Sequence, residues 1–247
     1  MSFITLTDVS KNYALGNTTV RALKNVDLTI ERGEFTAVWG PSGSGKSTLL
    51  NILATIDTPS RGSYCFDGRA IDQLSDKSLT DMRQRRIGII FQHFNLIPVL
   101  TALENVMMPM QLNAAQRNTL SHRALKERAL ALMNEVGVSD LALSRPDHLS
   151  GGQRQRVAIA RALITEPEFV VADEPTANLD SHTSEKIIQL MQTLNKQHGT
   201  TFIFSTHHNL LIASAERTIQ LLDGSIANLD YSTPLHQLQT SREVSSC

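Results

Sequence analysis

Apolar and polar positions alternate from the amino terminus to about Phe35, the two-residue period of half-buried antiparallel strands. Within that stretch, residues 27–35 read as a strand, a turn and the next strand. The pattern then changes. Phe35-Thr36-Ala37-Val38-Trp39 is a short apolar run and predicts a buried strand, and Leu49-Leu50-Asn51-Ile52-Leu53-Ala54 predicts a helix. From about Pro98 to Gly152 the period is helical, with a strongly amphipathic stretch at 124–133, and this marks an inserted helical subdomain. Helices are predicted at 153–163 and 184–195, strands at 169–172 and 201–206, and a hairpin at 219–226 around Asp223-Gly224. The residues beyond Asn228 are polar, and the end of this tail is expected to be flexible.

A glycine loop separates the strand at 35–39 from the helix that follows. Gly40-Pro41-Ser42-Gly43-Ser44-Gly45-Lys46-Ser47-Thr48 fits G-x-x-x-x-G-K-[ST] in the strand–loop–helix setting that a phosphate-binding P-loop requires. Glycines let the backbone take left-handed angles and come close to an anion. Their N–H groups and the helix N-terminus then point at the phosphates. Lys46 adds a point charge for the β- and γ-phosphates, and Ser47 offers a hydroxyl to Mg²⁺. All nine residues from Gly40 to Thr48 are therefore candidates for ATP binding.

The apolar run 169–172 ends in Asp173-Glu174-Pro175. It looks like a parallel strand buried on both faces, and ligands of such sheets bind beyond the carboxyl ends of the strands. Asp173 is placed to hold Mg²⁺. Glu174, one residue on, is the candidate to orient or deprotonate an attacking water. A second glycine motif, Leu149-Ser150-Gly151-Gly152-Gln153, opens the helix at 153–163, with Ser150 as its N-cap. Two glycines there leave bare N–H groups, which make a second anion site. Either it takes a different anion, or it closes on the same γ-phosphate from another subunit.

The segment from Leu149 to Leu163, LSGGQRQRVAIARAL, resembles the signature of ABC-type ATPases, and the resemblance covers about residues 4–226. It implies an α/β fold: one nucleotide-binding domain over 1–247, with a P-loop (RecA-like) core and an N-terminal antiparallel β-subdomain at 1–97 and 153–228. A helical subdomain at 98–152 and a tail at 229–247 complete it. It also implies further roles. Tyr13 matches the aromatic that stacks on adenine. Gln92 matches a glutamine that senses Mg²⁺ and water. Asp180, in Asn178-Leu179-Asp180, matches a loop at a dimer interface, and His207 matches a histidine that contacts the γ-phosphate. In this family Ser150, Gly151, Gly152 and Gln153 of one subunit face the P-loop of the other. The runs at 85–92, 94–98 and 100–106 are similar to those of ATPases from lipoprotein-releasing and macrolide- or peptide-exporting systems. The resemblance thus implies a homodimer that closes on ATP–Mg²⁺ to drive a separate transmembrane permease. It would sit peripherally on the cytoplasmic face of the inner membrane. An alternative is a regulator of cell-wall or division enzymes that acts through a non-transporting membrane partner.

Composition limits the other classes. A formal charge of −1 argues against the electrostatic footprint of a nucleic-acid binder. Cys65 and Cys247 are too few and too far apart for a zinc or disulfide framework. No apolar run reaches the ~18 residues of a membrane span, so contact with a membrane is expected only through a partner. The first residues lack a charged leader and read as a strand rather than a signal peptide.

Overall fold

The computed structural model describes residues 2–16, 18–113 and 120–231. The amino-terminal alternation becomes two long strands, β1 (Ile4–Leu15) and β2 (Thr18–Ile30), paired antiparallel. With β4 (Arg61–Phe66) and β5 (Arg69–Ala70) they make a four-stranded sheet of order β2-β1-β4-β5.

A second, six-stranded sheet carries the nucleotide motifs. Its strands are β3 (Phe35–Trp39), β6 (Ile87–Ile90), β7 (Phe169–Ala172), β8 (Thr201–Thr206), β9 (Arg217–Leu222) and β10 (Ser225–Tyr231), in the order β10-β9-β3-β8-β7-β6. All pairs are parallel except the β9–β10 hairpin, which turns at Asp223-Gly224 as expected. Both faces of the parallel strands are covered, and side chains alternate between two apolar cores. Phe35, Ala37, Val170, Ala172, Phe202 and Phe204 enter one core, while Val38, Phe169, Val171 and Ile203 enter the other. The first core also receives α3 (Ala102–Leu112), α4 (His122–Glu135), α5 (Gly151–Leu163) and α6 (Ser181–His198). The second receives α1 (Lys46–Leu53), α2 (Asp76–Arg86) and the inner face of the antiparallel sheet.

The expected subdomain limits meet continuous elements. α5 runs unbroken from Gly151 to Leu163, across the division placed at 152/153. β10 runs to Tyr231, so the segment taken as tail from 229 begins inside a strand, and 232–247 lie outside the described residues. In both places a boundary expected from the resemblance falls within a continuous hydrogen-bonded element.

An aromatic and ionic cluster joins the two sheets. The Phe3 ring lies 4.9 Å from Phe66 and 6.3 Å from Phe169. Arg32 covers Phe3 and Arg86 covers Phe66, and both arginines donate to Asp67 and Glu168 at 2.5–2.7 Å. Arg86 thus belongs to an inter-sheet bridge. The Arg86 bonds, followed by those of Arg32, hold the Asp67 and Glu168 carboxyls below their ordinary values of 3.8 and 4.5. For carboxyls depressed on folding, the stabilisation is complete above the ordinary range and is lost as pH falls through the folded values. Thermal unfolding followed from pH 7 to pH 3 should show a midpoint that drops below about pH 4.5. In Asp67→Asn the drop should be shallower, and an unchanged pH profile in that variant would refute the assignment.

Candidate active site

The loop between β3 and α1 takes its shape from glycines that no other residue could replace. Gly40 has φ 152°, and a Cβ there would fall 2.1 Å from the Leu221 carbonyl oxygen. Gly45, the residue before α1, has φ 103°, and its Cβ would lie 2.5 Å from the Ala22 carbonyl oxygen. The loop is therefore seated against β9 and β2 by backbone contact. Lys46 is 8% exposed, and its Nζ donates to the Gly40 and Pro41 carbonyls at 2.9 and 3.0 Å, which draws the ammonium over the loop.

A cleft of about 760 Å³ opens at this loop. Gly40, Pro41, Ser42, Gly43, Gly45, Lys46, Ser47 and Thr48 line it, and Gln92, Glu174 and His207 face them. The parallel sheet thus delivers residues from the ends of four strands, β3, β6, β7 and β8, to one place, as open α/β sheets do. Ala22 and Ala177 also line the cleft, and their small apolar side chains carried no signal. Ser44 is the exception within the loop. Its side chain is buried, and its backbone N–H is taken by the Pro41 carbonyl at 3.3 Å.

Asp173 does not line the cleft itself, but its Oδ1 atom accepts from Ser47 Oγ, which does, at 3.2 Å and from Ser205 Oγ at 2.7 Å. Hard oxygen donors from two motifs, Ser47 Oγ and the Asp173 carboxylate, converge here, a donor set that suits a divalent cation sharing ligands with phosphate. Glu174 follows with φ 45°, a left-handed angle that costs a residue with a side chain about 1–3 kcal/mol. Its N–H donates to Ser205 Oγ at 2.8 Å, and its Oε2 lies 2.7 Å from His207 Nδ1. From this position the Glu174 side chain lines the cleft and meets His207. Ser205, fully buried, thus links Asp173 to Glu174. The sequence reading missed its role, although a serine directly after the apolar run Phe202-Ile203-Phe204 was the available signal.

Tyr13 lies at the edge of this arrangement, outside the cleft lining. Its hydroxyl donates to Asp57 Oδ2 at 2.7 Å, and Lys11 Nζ, 5.0 Å from its ring centre, binds the other Asp57 oxygen. Burial favours the neutral Asp57, but the bonds from Lys11 and Tyr13 prevail and hold the carboxyl below its usual range. Asp57 therefore fixes the aromatic.

Ser150, Gly151, Gly152 and Gln153 do not line the cleft. Ser150 Oγ accepts from the Gln153 N–H at 3.3 Å and Gln153 Oε1 accepts from the Ser150 N–H at 2.8 Å, a reciprocal capping box. The cap takes one of the N–H groups expected to be bare, and those of Gly151 and Gly152 stay without a helical acceptor. Both glycines abut their own chain, since a Cβ on Gly151 would touch Leu179 and one on Gly152 would touch Thr183. Asp180 caps α6 by accepting from the Thr183 N–H at 2.9 Å.

A P-loop cleft with an acidic strand end, and a separate glycine-opened helix outside it, define an ATP-binding cassette. The family model described as "ABC transporter" matches residues 23–177, and the chain belongs to that family. It is similar to the uncharacterized ABC transporter ATP-binding protein MJ0796 of Methanocaldococcus jannaschii, at 46% identity over 90% of this chain and 94% of that one. The lipoprotein-releasing system ATP-binding protein LolD 1 of Rhodopseudomonas palustris is 43% identical, over 90% of this chain and 97% of the relative. A macrolide export ATP-binding/permease protein, MacB of Syntrophobacter fumaroxidans, is 44% identical over 92% of this chain, which spans only 31% of that relative's length. A dimeric structure of MJ0796 in a post-hydrolysis state, bound to ADP and Pi, matches with a TM-score of 0.85 at 44% identity. The match covers 92% of this chain and 98% of that one.

Proposed function

We propose that two copies of this chain sandwich two ATP molecules and drive a separate membrane permease. Each ATP would lie between the P-loop of one copy and Ser150–Gln153 of the other. The observation that carries this reading is the segregation of the two glycine motifs. The cleft holds one, and the other presents free Gly151 and Gly152 N–H groups outside it. A second copy would bring them together.

Within each composite site, the backbone of Gly40–Thr48 and the Lys46 ammonium would hold the phosphates. Lys46 would exchange its loop carbonyls for phosphate oxygens. Tyr13, braced by Asp57 and Lys11, would stack on the adenine. Ser47, Asp173 and Gln92 would hold Mg²⁺, which when bound neutralises phosphate oxygens. Glu174 would take a proton from the attacking water, and His207, already joined to Glu174, would contact the γ-phosphate and report its presence. Asp180, at the head of α6, would lie at the dimer interface. The subdomain at 98–152 and the segment around Gln92 would form the face towards the permease.

Among the described residues no helix is long and apolar enough to cross a membrane, so force on a membrane would pass through the partner. The similarity to lipoprotein-releasing and macrolide-export proteins supports a substrate moved out of, or extracted from, the cytoplasmic membrane. The chain itself would be held at the cytoplasmic face. Affinity purification of the tagged chain from detergent-solubilised membranes of its host tests this reading. A multi-spanning membrane protein should co-purify and should raise or regulate ATP turnover on reconstitution. Recovery of the chain free of any membrane protein would refute the proposal.

A further inference from the structure

The segment that presents Gln92 is held from behind by the helix that begins with the second glycine motif. Phe94 and Asn95 have successive left-handed angles, φ 62° and 48°, without a glycine at either position. Such a turn persists only where its surroundings hold it. Arg161 supplies the hold from the interior face of α5. Its Nη2 donates to the Phe94 carbonyl at 2.6 Å and its Nη1 to the Asn95 carbonyl at 2.5 Å. The planar guanidinium fork spans both acceptors, a geometry that a lysine could not reproduce.

This cation is out of place as a mere stabiliser. It is 7% exposed, and among the described residues no carboxylate pairs with it. Burial alone lowers its pKa, to about 10. A buried charge without a counter-ion is a net cost to folding, so its two bonds need another return. Arg154, two turns nearer the head of α5, lays its guanidinium 5.2 Å from the Phe94 ring centre. From the opposite side, Asn178 Nδ2 donates to the Gln92 carbonyl at 2.8 Å.

We infer that Arg161 is a positioning residue, which fixes residues 92–95 so that Gln92 faces the cleft and ties that placement to the position of α5. The same helix carries Ser150–Gln153 at its head. Any shift of α5 caused by contact with the other subunit's nucleotide would therefore be felt at Gln92. The inference rests on the proposed role of Gln92 at the metal and water.

The test compares Arg161→Met with wild type, using the full chain. In the nucleotide-free protein, amide exchange at residues 92–96 should quicken by roughly tenfold or more, as residues 92–95 lose their anchor. The thermal midpoint should stay within a few degrees, because deleting an unpaired buried cation also removes its desolvation cost. ATP affinity should hold. The turnover number should fall roughly ten- to a hundred-fold, with a raised Mg²⁺ requirement, as expected for a misplaced ligand. The double variant Gln92→Ala/Arg161→Met should be no slower than Gln92→Ala. Unchanged exchange, or turnover within twofold of wild type in a folded Arg161→Met, overturns the inference. If Arg161→Met does not fold, Arg154→Ala decides. It should slow turnover several-fold at an unchanged thermal midpoint, and wild-type turnover there overturns the inference. Gln92→Ala separates the two layers. If it turns over like wild type, the reading of Gln92 falls and the inference with it. If it is impaired while Arg161→Met is not, only the inference falls.

Discussion

Glu174→Gln should bind ATP as wild type does and hydrolyse it ~10²–10⁴-fold more slowly, the usual contribution of a positioned general base. That loss corresponds to about 3–5 kcal/mol of barrier. The geometry makes the substitution clean. The Glu174 side chain is 18% exposed, its backbone is pinned by Ser205 Oγ, and its left-handed angle is set by the fold rather than by its own carboxylate. Glutamine keeps the shape and a hydrogen bond to His207, and cannot accept a proton. The P-loop is untouched, so equilibrium titration with labelled ATP should return wild-type affinity. With hydrolysis blocked, the ATP-bound dimer should accumulate, and light scattering should show about twice the monomer mass on adding ATP. Single-turnover hydrolysis within a few-fold of wild type would sink the assignment of Glu174 as base.

The second large effect concerns the partition of one site between two chains. Lys46→Ala and Ser150→Arg should each abolish turnover as homodimers. The first removes the only charged side chain of the glycine loop, and the second puts a long cation where Gly151 and Gly152 present their N–H groups. A mixed dimer of the two should recover activity. If Ser150 acts on the nucleotide of the other subunit, the Ser150→Arg chain keeps an intact P-loop facing an intact signature, while the other composite site carries both lesions. If Ser150 acts on its own chain's nucleotide, neither site survives. The placement of Ser150–Gln153 outside the cleft favours recovery. ATP-driven closure of the mixed dimer should be measured beside turnover, because hydrolysis that needs both sites would mask a surviving one. A mixed dimer that neither hydrolyses nor closes on ATP would contradict action in trans.

Much of this site is legible in the chain because its chemistry is local. A phosphate cradle is made by consecutive backbone groups, so Gly40–Thr48 announces itself by spacing. The strand end at 173–174 announces itself because a buried parallel strand is a continuous apolar run that stops at polar residues, whereas His207 was marked only by the family resemblance. The capping box of Ser150 and Gln153 is likewise a four-residue relation. Less legible were side chains that act by supporting others. Asp57 resembled any turn aspartate until Lys11 and Tyr13, more than forty positions away, were seen to converge on it. Arg86 and Arg161 are likewise invisible as supports, because nothing local distinguishes an arginine buried against carbonyls or carboxylates from one in water.

By itself, then, the sequence determined the elements, the P-loop, the acidic strand end and the glycine-opened helix, since each depends on neighbours within a few residues. Only the tertiary structure decided which strands lie side by side. The order β10-β9-β3-β8-β7-β6 brings Lys46, Asp173, Glu174 and His207 to one edge, and that order depends on which apolar faces pack together across the whole chain. It also decided that Ser205 would bind Asp173 and Glu174 at once, that Glu174 would turn onto His207, and that Arg161 would reach the segment of Gln92. These contacts join residues 31 to 67 positions apart, and periodicity along a chain holds no record of what packing places across it.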